Sequence, residues 1–398
     1  MQTIKLYDQH NIHLLNWPAT EDGDYARRYL MPFIVDGPQT YIANVHTKLA
    51  VLHIDDVVLP VTISAEHPHN SYVCSPYNQY IDYGQEELSK LNNRAGELAA
   101  RALLAPLAWL FRQRQFDQVV MVNNWLLSTN LYPALAAAQI AGISEFLQAA
   151  FPDHALLFRS IDPYGNWHLY NTLGTLGYQM VFSRQIYYMD VRDPQVIRKK
   201  QFKIDLSKQR KSDYRVVDGA DLDEADLQRV RQLYNNLYLD KYSYHNPQFT
   251  ENFFRLARDQ QLLTIKACRQ ENHPDDAPNR LDSAHHLDAA FGYFWRTNAA
   301  GHSVMTQPLF GYDTSLPQSL GLYRLLSTQT ALEGIKYQRL VHCSAGVGEF
   351  KRLRGAVPAI EYNAVYDQHL PRRRQHPWRI LKWLMDKLAI PIIQKYGF

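Results

Sequence analysis

Hydrophobic positions along the chain keep strand spacing in some stretches and helical spacing in others, and the changes mark out its elements. In "KLAVLHIDDVVLPVTIS" (48–64) β-branched runs flank Asp55-Asp56, which predicts a hairpin. "SYVCSPYNQYIDYGQEELSKL" (71–91) predicts extended sequence entering a helix. "RAGELAARALLAPLAWLFRQRQ" predicts a helix broken at Pro106, because proline removes a backbone donor. A short strand at 118–122, the turn "NNWLLSTNLYP" (123–133), an alanine-rich helix to Ala150 and a strand at 155–161 follow. Leu169, Leu173 and Leu176 then keep helical spacing ahead of a strand at 178–190.

Between 190 and 216 large apolar residues thin out and Lys and Arg crowd in, which predicts a connector helix lying on the surface. The pattern then restarts. A strand at 214–219 precedes Asp223, a good N-cap for a helix that turns Leu227, Val230, Tyr234 and Leu237 to one face. Strands are predicted at 262–270, 289–298, 302–315, 339–345 and 360–370, with an exposed polar loop at 271–288 and a helix burying Leu322, Leu325, Leu332 and Ile335. In the tail, Trp378, Leu381, Leu384, Met385 and Leu388 share one helical face, with Arg379, Lys382 and Lys387 away from it. The expected division is therefore 1–190, a basic connector at 191–213, 214–371, and a helical tail at 372–398.

The two large parts end alike. "LLFRSIDPYGNWHLYNTLGTLGYQMVFSRQIYYMD" and "RLVHCSAGVGEFKRLRGAVPAIEYNAVYDQHL" each give strand, loop, short helix, glycine, strand, with Gly177 and Gly355 in matching places. A glycine just past a short helix is the usual left-handed cap, and two such units predict an internal duplication.

Composition narrows the classes. At 398 residues the chain exceeds a domain of roughly 100–200 residues. Its 46% hydrophobic residues can fill two cores. A net charge of +3 does not by itself point to nucleic acid. Cys74, Cys268 and Cys343 are scattered and odd in number, which argues against a disulfide frame or zinc knuckle. The N-terminus has no basic start followed by an apolar core, and no run approaches the ~18 apolar residues of a membrane span. The expected location is the cytoplasm.

"NWHLYNTLGTLGY" (166–178) resembles the closing motif of GNAT-type acyltransferases, and "FGYDTSLPQSLGLYRLL" (310–326) with "CSAGVGEFKRLRGA" (343–356) resembles the FemAB-like and cellulose-biosynthesis-type branch. The resemblance implies a mixed α/β fold of two tandem GNAT domains sharing a cleft. In a GNAT domain two parallel strands splay apart, a pantetheine arm enters between them, and its pyrophosphate meets amides at a helix N-terminus. It also implies transfer by direct attack on an activated acyl group, from acyl-CoA, an acyl carrier protein, or an aminoacyl-tRNA as in Fem-type enzymes, to a small-molecule or peptide acceptor bearing an amine or hydroxyl. The other classes left open are a catalytically decayed binding protein and peripheral membrane contact through helix 378–388.

On that pattern Gln318, Ser319, Leu320, Gly321 and Leu322 form the donor loop, and Tyr323 stands where the family places a small residue. Gly346 and Gly348 do not make a phosphate loop, since the Gly-x₄-Gly-Lys-Ser/Thr pattern is absent. Phe350 stands near where simple GNATs often carry the tyrosine that reprotonates the leaving thiolate, so either Tyr323 substitutes as the acid or the thiolate takes its proton from solvent. Lys351, Arg352 and Arg354 either face phosphate or a carrier protein or are simply solvated cations on a short helix. His342 and Asp313, at strand ends, are the candidate bases, and Ser344 a hydrogen-bond donor to acceptor or carbonyl. Tyr242, Tyr244 and His245 are expected to wall the acceptor site. Asn124 and Asn130 either bind ligand at a strand end or serve as turn residues in a degenerate first domain. His273, His285 and His286 lack regular ligand spacing, so no metal is expected.

Overall fold

The computed structural model describes residues 3–89, 94–270 and 287–396. The first strands are β1 (Ile4–Tyr7), β2 (Lys48–Ile54), β3 (Val57–Ser64), β4 (Val119–Val122), β5 (Ala155–Ile161) and β6 (Gln179–Asp190). The second set comprises β7 (Tyr214–Asp218), β8 (Thr264–Gln270), β9 (Leu287–Thr297), β10 (Ser303–Tyr312), β11 (Leu340–His342) and β12 (Val357–Tyr366). All twelve form one mixed sheet in the order β1-β2-β3-β4-β5-β12-β6-β11-β10-β9-β8-β7.

The layout repeats, as the matched glycine units imply. β1 to β4 are antiparallel neighbours and β4 runs parallel to β5. β7 to β10 are likewise antiparallel and β10 runs parallel to β11. The last strand of each half then crosses over: β6 pairs with β11, β12 pairs with β5, and the two pair with each other. The fold is thus mixed α/β, with two halves of matching strand layout. Residue 190 divides the chain but not the sheet, since β6 lies between two strands of the second half. Gly177 and Gly355 both take positive φ, 87° and 94°, at the predicted turns.

Helices cover both faces. Ala137–Ala150 seats Ile140, Ile143 and Leu147 against Leu52, Val120 and Phe158. Leu322–Lys336 packs Leu322, Leu325 and Leu326 with Met305, Phe291 and Val341. The tail helix Arg372–Leu384 buries Trp378 and Leu381 against Phe116, whose ring lies 4.0 Å from that of Trp378. Leu388 does not join them and is exposed, as is Trp383. The helix Arg94–Gln113 continues through Pro106 without the expected break. One missing bond is outweighed by the remaining turns of a twenty-residue helix. The expected loop at 271–288 lies almost wholly outside the described residues. No helix among the described residues is long and apolar enough to cross a membrane.

The connector contains the helix Lys200–Arg210, and one side of it is core. Phe202 and Asp205 are each only 1% exposed, and Asp205 accepts a hydrogen bond from Arg354 Nε, with Arg324 Nε 3.4 Å from its other oxygen. A buried carboxylate held between guanidiniums anchors the helix to the second half.

Gly311 marks a tight crossing in β10. A Cβ there would lie 2.5 Å from the carbonyl carbon of Leu233, in the backbone of helix Glu224–Asn235. No side chain can rotate to relieve that contact. Gly311→Ala should cost about 1–3 kcal/mol, measured as a lowered denaturation midpoint; an unchanged midpoint would mean the helix can slide.

Candidate active site

The site grows from a parting of strands. β10 and β11 share three ladder positions, Val304 with Leu340, Met305 with Val341 and Thr306 with His342. β10 then bends at Gln307-Pro308, where its register with β9 also slips, and continues to Tyr312. Proline has no N–H to offer either neighbour. The chain after β11 follows β6 instead, through Cys343 N–H to Tyr187 O at 2.8 Å and Tyr187 N–H to Ser344 O at 3.2 Å. The result is a wedge between β10 and the 343–347 loop. Ser344 and Val347 have φ of 58° and 45° there. For a β-branched valine that region is strained, and such strain collects at functional sites.

Lys351, on the short helix Gly348–Arg352, reaches back under this loop. Its Nζ donates to Ala345 O at 2.8 Å and Ser344 O at 3.2 Å, and lies 5.3 Å from the Tyr187 ring centre. Those carbonyls take two of its three N–H groups. The side chain is buried, and burial, then the charge of Arg184, lowers its pKa to about 8 against an opposing pull from Cys343. Lys351 lines a cavity of about 30 Å³ together with Gln307, Tyr323, Cys343, Phe350 and Phe202. That is room for about a water molecule. Tyr323 narrows it: its ring lies 5.0 Å from Phe350, 5.4 Å from Phe310 and 6.3 Å from Tyr312, and burial pushes its phenol pKa up.

Behind the wedge lies a buried polar network. Glu361 of β12 and Arg184 of β6 face each other across the two exchanged strands. Arg184 donates to both carboxylate oxygens, at 2.9 and 3.1 Å, and to Ser128 O and Thr129 Oγ1, each at 2.9 Å. His342 is 1% exposed, with Nδ1 accepting from Ser344 N–H at 3.2 Å and Nε2 3.9 Å from Glu361. Burial, followed by the charges of Arg184 and Lys351, lowers its pKa to about 3. The imidazole is therefore neutral and a weak base, and the contact with Glu361 is not ionic.

The expected residues divide into groups. His342, Ser344, Tyr323 and Lys351 come together at the wedge. Gln318–Leu320 form an exposed 3₁₀ turn, and Gly321, with φ of 69°, precedes the buried Leu322 at the start of the helix that carries Tyr323. Asp313 lies beyond the end of β10, bound to Arg229 at 2.6 Å and to Ser315. Against the push of burial, hydrogen bonds from Ser315 and Arg229 hold its pKa low, which suits an ion pair better than a base. Tyr242 stands at the edge of a tyrosine row, 6.1 Å from Tyr238, itself stacked 4.7 Å from Tyr234. Tyr244 is exposed and bonded to Asp240, while the His245 carbonyl accepts from Tyr72 N–H and Ser71 Oγ, tying this loop to the first half.

Asn124 and Asn130 are fully enclosed. Asn124 Nδ2 donates to Thr62 Oγ1 and Val73 O, its Oδ1 accepts from Arg159, and Asn130 Oδ1 accepts from Trp125 N–H. Both side chains are taken up by hydrogen bonds within the fold, so the turn-residue reading describes their geometry. Neither Arg184 nor Glu361 stood out in the sequence, since each is a lone charge within an alternating strand. Among the described residues no cluster of three or more His, Cys, Asp or Glu could hold a metal, and His273, His285 and His286 lie outside those residues. A larger cleft, about 640 Å³, opens between the halves around Asp22, Tyr25, Trp295 and Arg296. Arg296 pairs with Val304 at the other end of β10 from the wedge.

The sequence matches no described protein family and no curated protein. Solved structures similar to it include a conserved protein of unknown function from Bacteroides thetaiotaomicron, at 11% identity and a TM-score of 0.47 over 92% of this chain and 99% of that one. L-PGS from Bacillus licheniformis aligns at 15% identity and 0.41, over 60% of this chain and 77% of that one. FemX aligns at 8% identity and 0.42, over 59% and 78%. At these identities and scores the likeness carries no conclusion about chemistry.

Proposed function

We propose that the protein transfers an activated acyl or aminoacyl group to an amine or hydroxyl acceptor, with the donor carbonyl seated in the β10–β11 wedge and Lys351 beside the departing atom. The observation that carries this reading is the buried, doubly anchored Lys351 with a pKa of about 8. Acyl transfer leaves negative charge first on the carbonyl oxygen and then on the leaving sulfur or oxygen. An ammonium with that pKa stabilises the charge and donates its proton near neutral pH, and the amine left behind accepts the proton shed by the attacking nitrogen. The tyrosine row and the loop tied to the first half supply the acceptor's walls, and the enclosed, hydrogen-bonded Asn124 and Asn130 support a first half that shapes the cleft without binding a donor.

Thioesters are the first reading for the donor. The Tyr323 ring in the wedge favours a second, an aminoacyl ester that has no pantetheine arm to insert. Incubation with acyl-CoA, acyl-loaded carrier protein or aminoacyl-tRNA and a panel of amines, read by mass spectrometry, tests the proposal; no product from any donor would reject it. Tyr323→Ala should widen the wedge and tighten desulfo-CoA binding several-fold in calorimetry. Unchanged binding would mean that the arm does not pass there.

A further inference from the structure

The connector's outer face carries charge that the fold does not use. Arg198, Lys199, Lys200, Lys203, Lys208, Arg210 and Lys211 are all exposed, and none makes a hydrogen bond or ion pair with another described side chain. The one acid among residues 198–211 is Asp205, which points inward to Arg354 and Arg324. Seven cations in so short a stretch exceed the whole chain's net charge of +3, so the remainder of the protein is net acidic and this face stands apart from it.

Its position gives the charge a use. Phe202 and Asp205, on the inner side of the same helix, line the Lys351 cavity. Whatever docks on the outer side is separated from that cavity by the width of one helix, about 10–12 Å. Nothing about the helix itself is mobile in character, because Phe202 and the Asp205 pairs fix it to the second half. We propose that this face docks an acidic carrier domain whose acyl-loaded arm reaches the β10–β11 wedge beside Lys351. The inference rests on the transferase reading and names its partner.

Two features favour an acidic protein over nucleic acid. Four of the seven cations lie on a single helix of eleven residues and the other three directly flank it, the footprint of one acidic helix. The only aromatic in the stretch, Phe202, is buried, whereas grooves for single-stranded nucleic acid interleave exposed rings with cations. A free acyl-CoA would leave most of the seven cations without a partner.

Fluorescence anisotropy with a labelled holo acyl carrier protein of the type II fatty-acid kind tests the docking directly on the full chain. Binding should weaken steeply with added salt. The triple variant Lys199→Glu, Lys203→Glu and Arg210→Glu should weaken it at least tenfold, and the neutral Lys203→Gln with Arg210→Gln by less. These side chains are exposed, so circular dichroism should be unchanged. In transfer assays the triple variant should raise KM for carrier-bound acyl groups at least tenfold and leave transfer from an acyl N-acetylcysteamine thioester as it was. Carrier binding insensitive to charge reversal would overturn the proposal, as would binding of deacylated tRNA but not carrier. Loss of transfer from every donor, with charge-dependent carrier binding intact, would instead reject the Lys351 chemistry and leave the docking face standing.

Discussion

Lys351→Met is expected to lower kcat/KM for acyl transfer by about 10²–10⁴-fold, the contribution of a positioned acid–base group. Methionine is close in length and apolar, so it can occupy the space beside Phe350, Cys343 and Tyr323. It cannot donate to the carbonyls of Ser344 and Ala345, so a modest loss of stability accompanies the loss of rate. The decisive comparison is Lys351→Arg. Arginine restores a charge and hydrogen bonds to the loop but does not give up a proton near neutral pH. It should recover stability without recovering the rate. If Lys351→Met transfers as fast as the native protein, the lysine is merely structural.

The second large effect falls on the central strands. Arg184→Ala should destabilise the fold by about 3–5 kcal/mol, because it leaves the Glu361 carboxylate buried and uncompensated. Arg184 lies on the last strand of the first half and Glu361 on the last strand of the second, so their pair fastens the exchange that makes twelve strands one sheet. The exposure of the two partners is unequal, 22% for the Arg184 side chain and 4% for Glu361, so losing the arginine is the harsher change. A chemical denaturation series checks this. The double replacement Arg184→Met with Glu361→Leu should recover much of the loss, since no buried charge is then left alone. Equal destabilisation by the single and double variants would mean that the pair matters only through packing.

Much of the fold could be read from local pattern. The paired glycine units, the β-branched hairpin at 48–64 and the Asp223 cap all reflect interactions within a few residues, and each lies where the pattern put it. The strand exchange could not be read that way. Alternation within "YQMVFSRQIYYMD" says that β6 is buried but not which strand it joins, and its partners lie 150 or more residues away. The site follows the same division. His342, Ser344 and Tyr323 could be placed near the wedge because strand ends and helix starts are local features. Lys351 was expected to face phosphate, a carrier or solvent, because in sequence it is one of several cations on a short helix. Its burial comes in part from Tyr187 of β6 and Cys343 just after β11, both outside its own helix. The connector shows the same limit: its surface position was legible, but the inward turn of Asp205 depends on Arg324 and Arg354, over 100 residues on.

The central claim is that Lys351 acts in its protonated form. Because burial brings its pKa down to about 8, single-turnover transfer measured between pH 6 and 10 should hold to about pH 8 and then fall as the ammonium is lost. In Lys351→Arg that falling limb should disappear. A native profile that stays level from pH 8 to 10, or that falls identically in the arginine variant, would contradict the account.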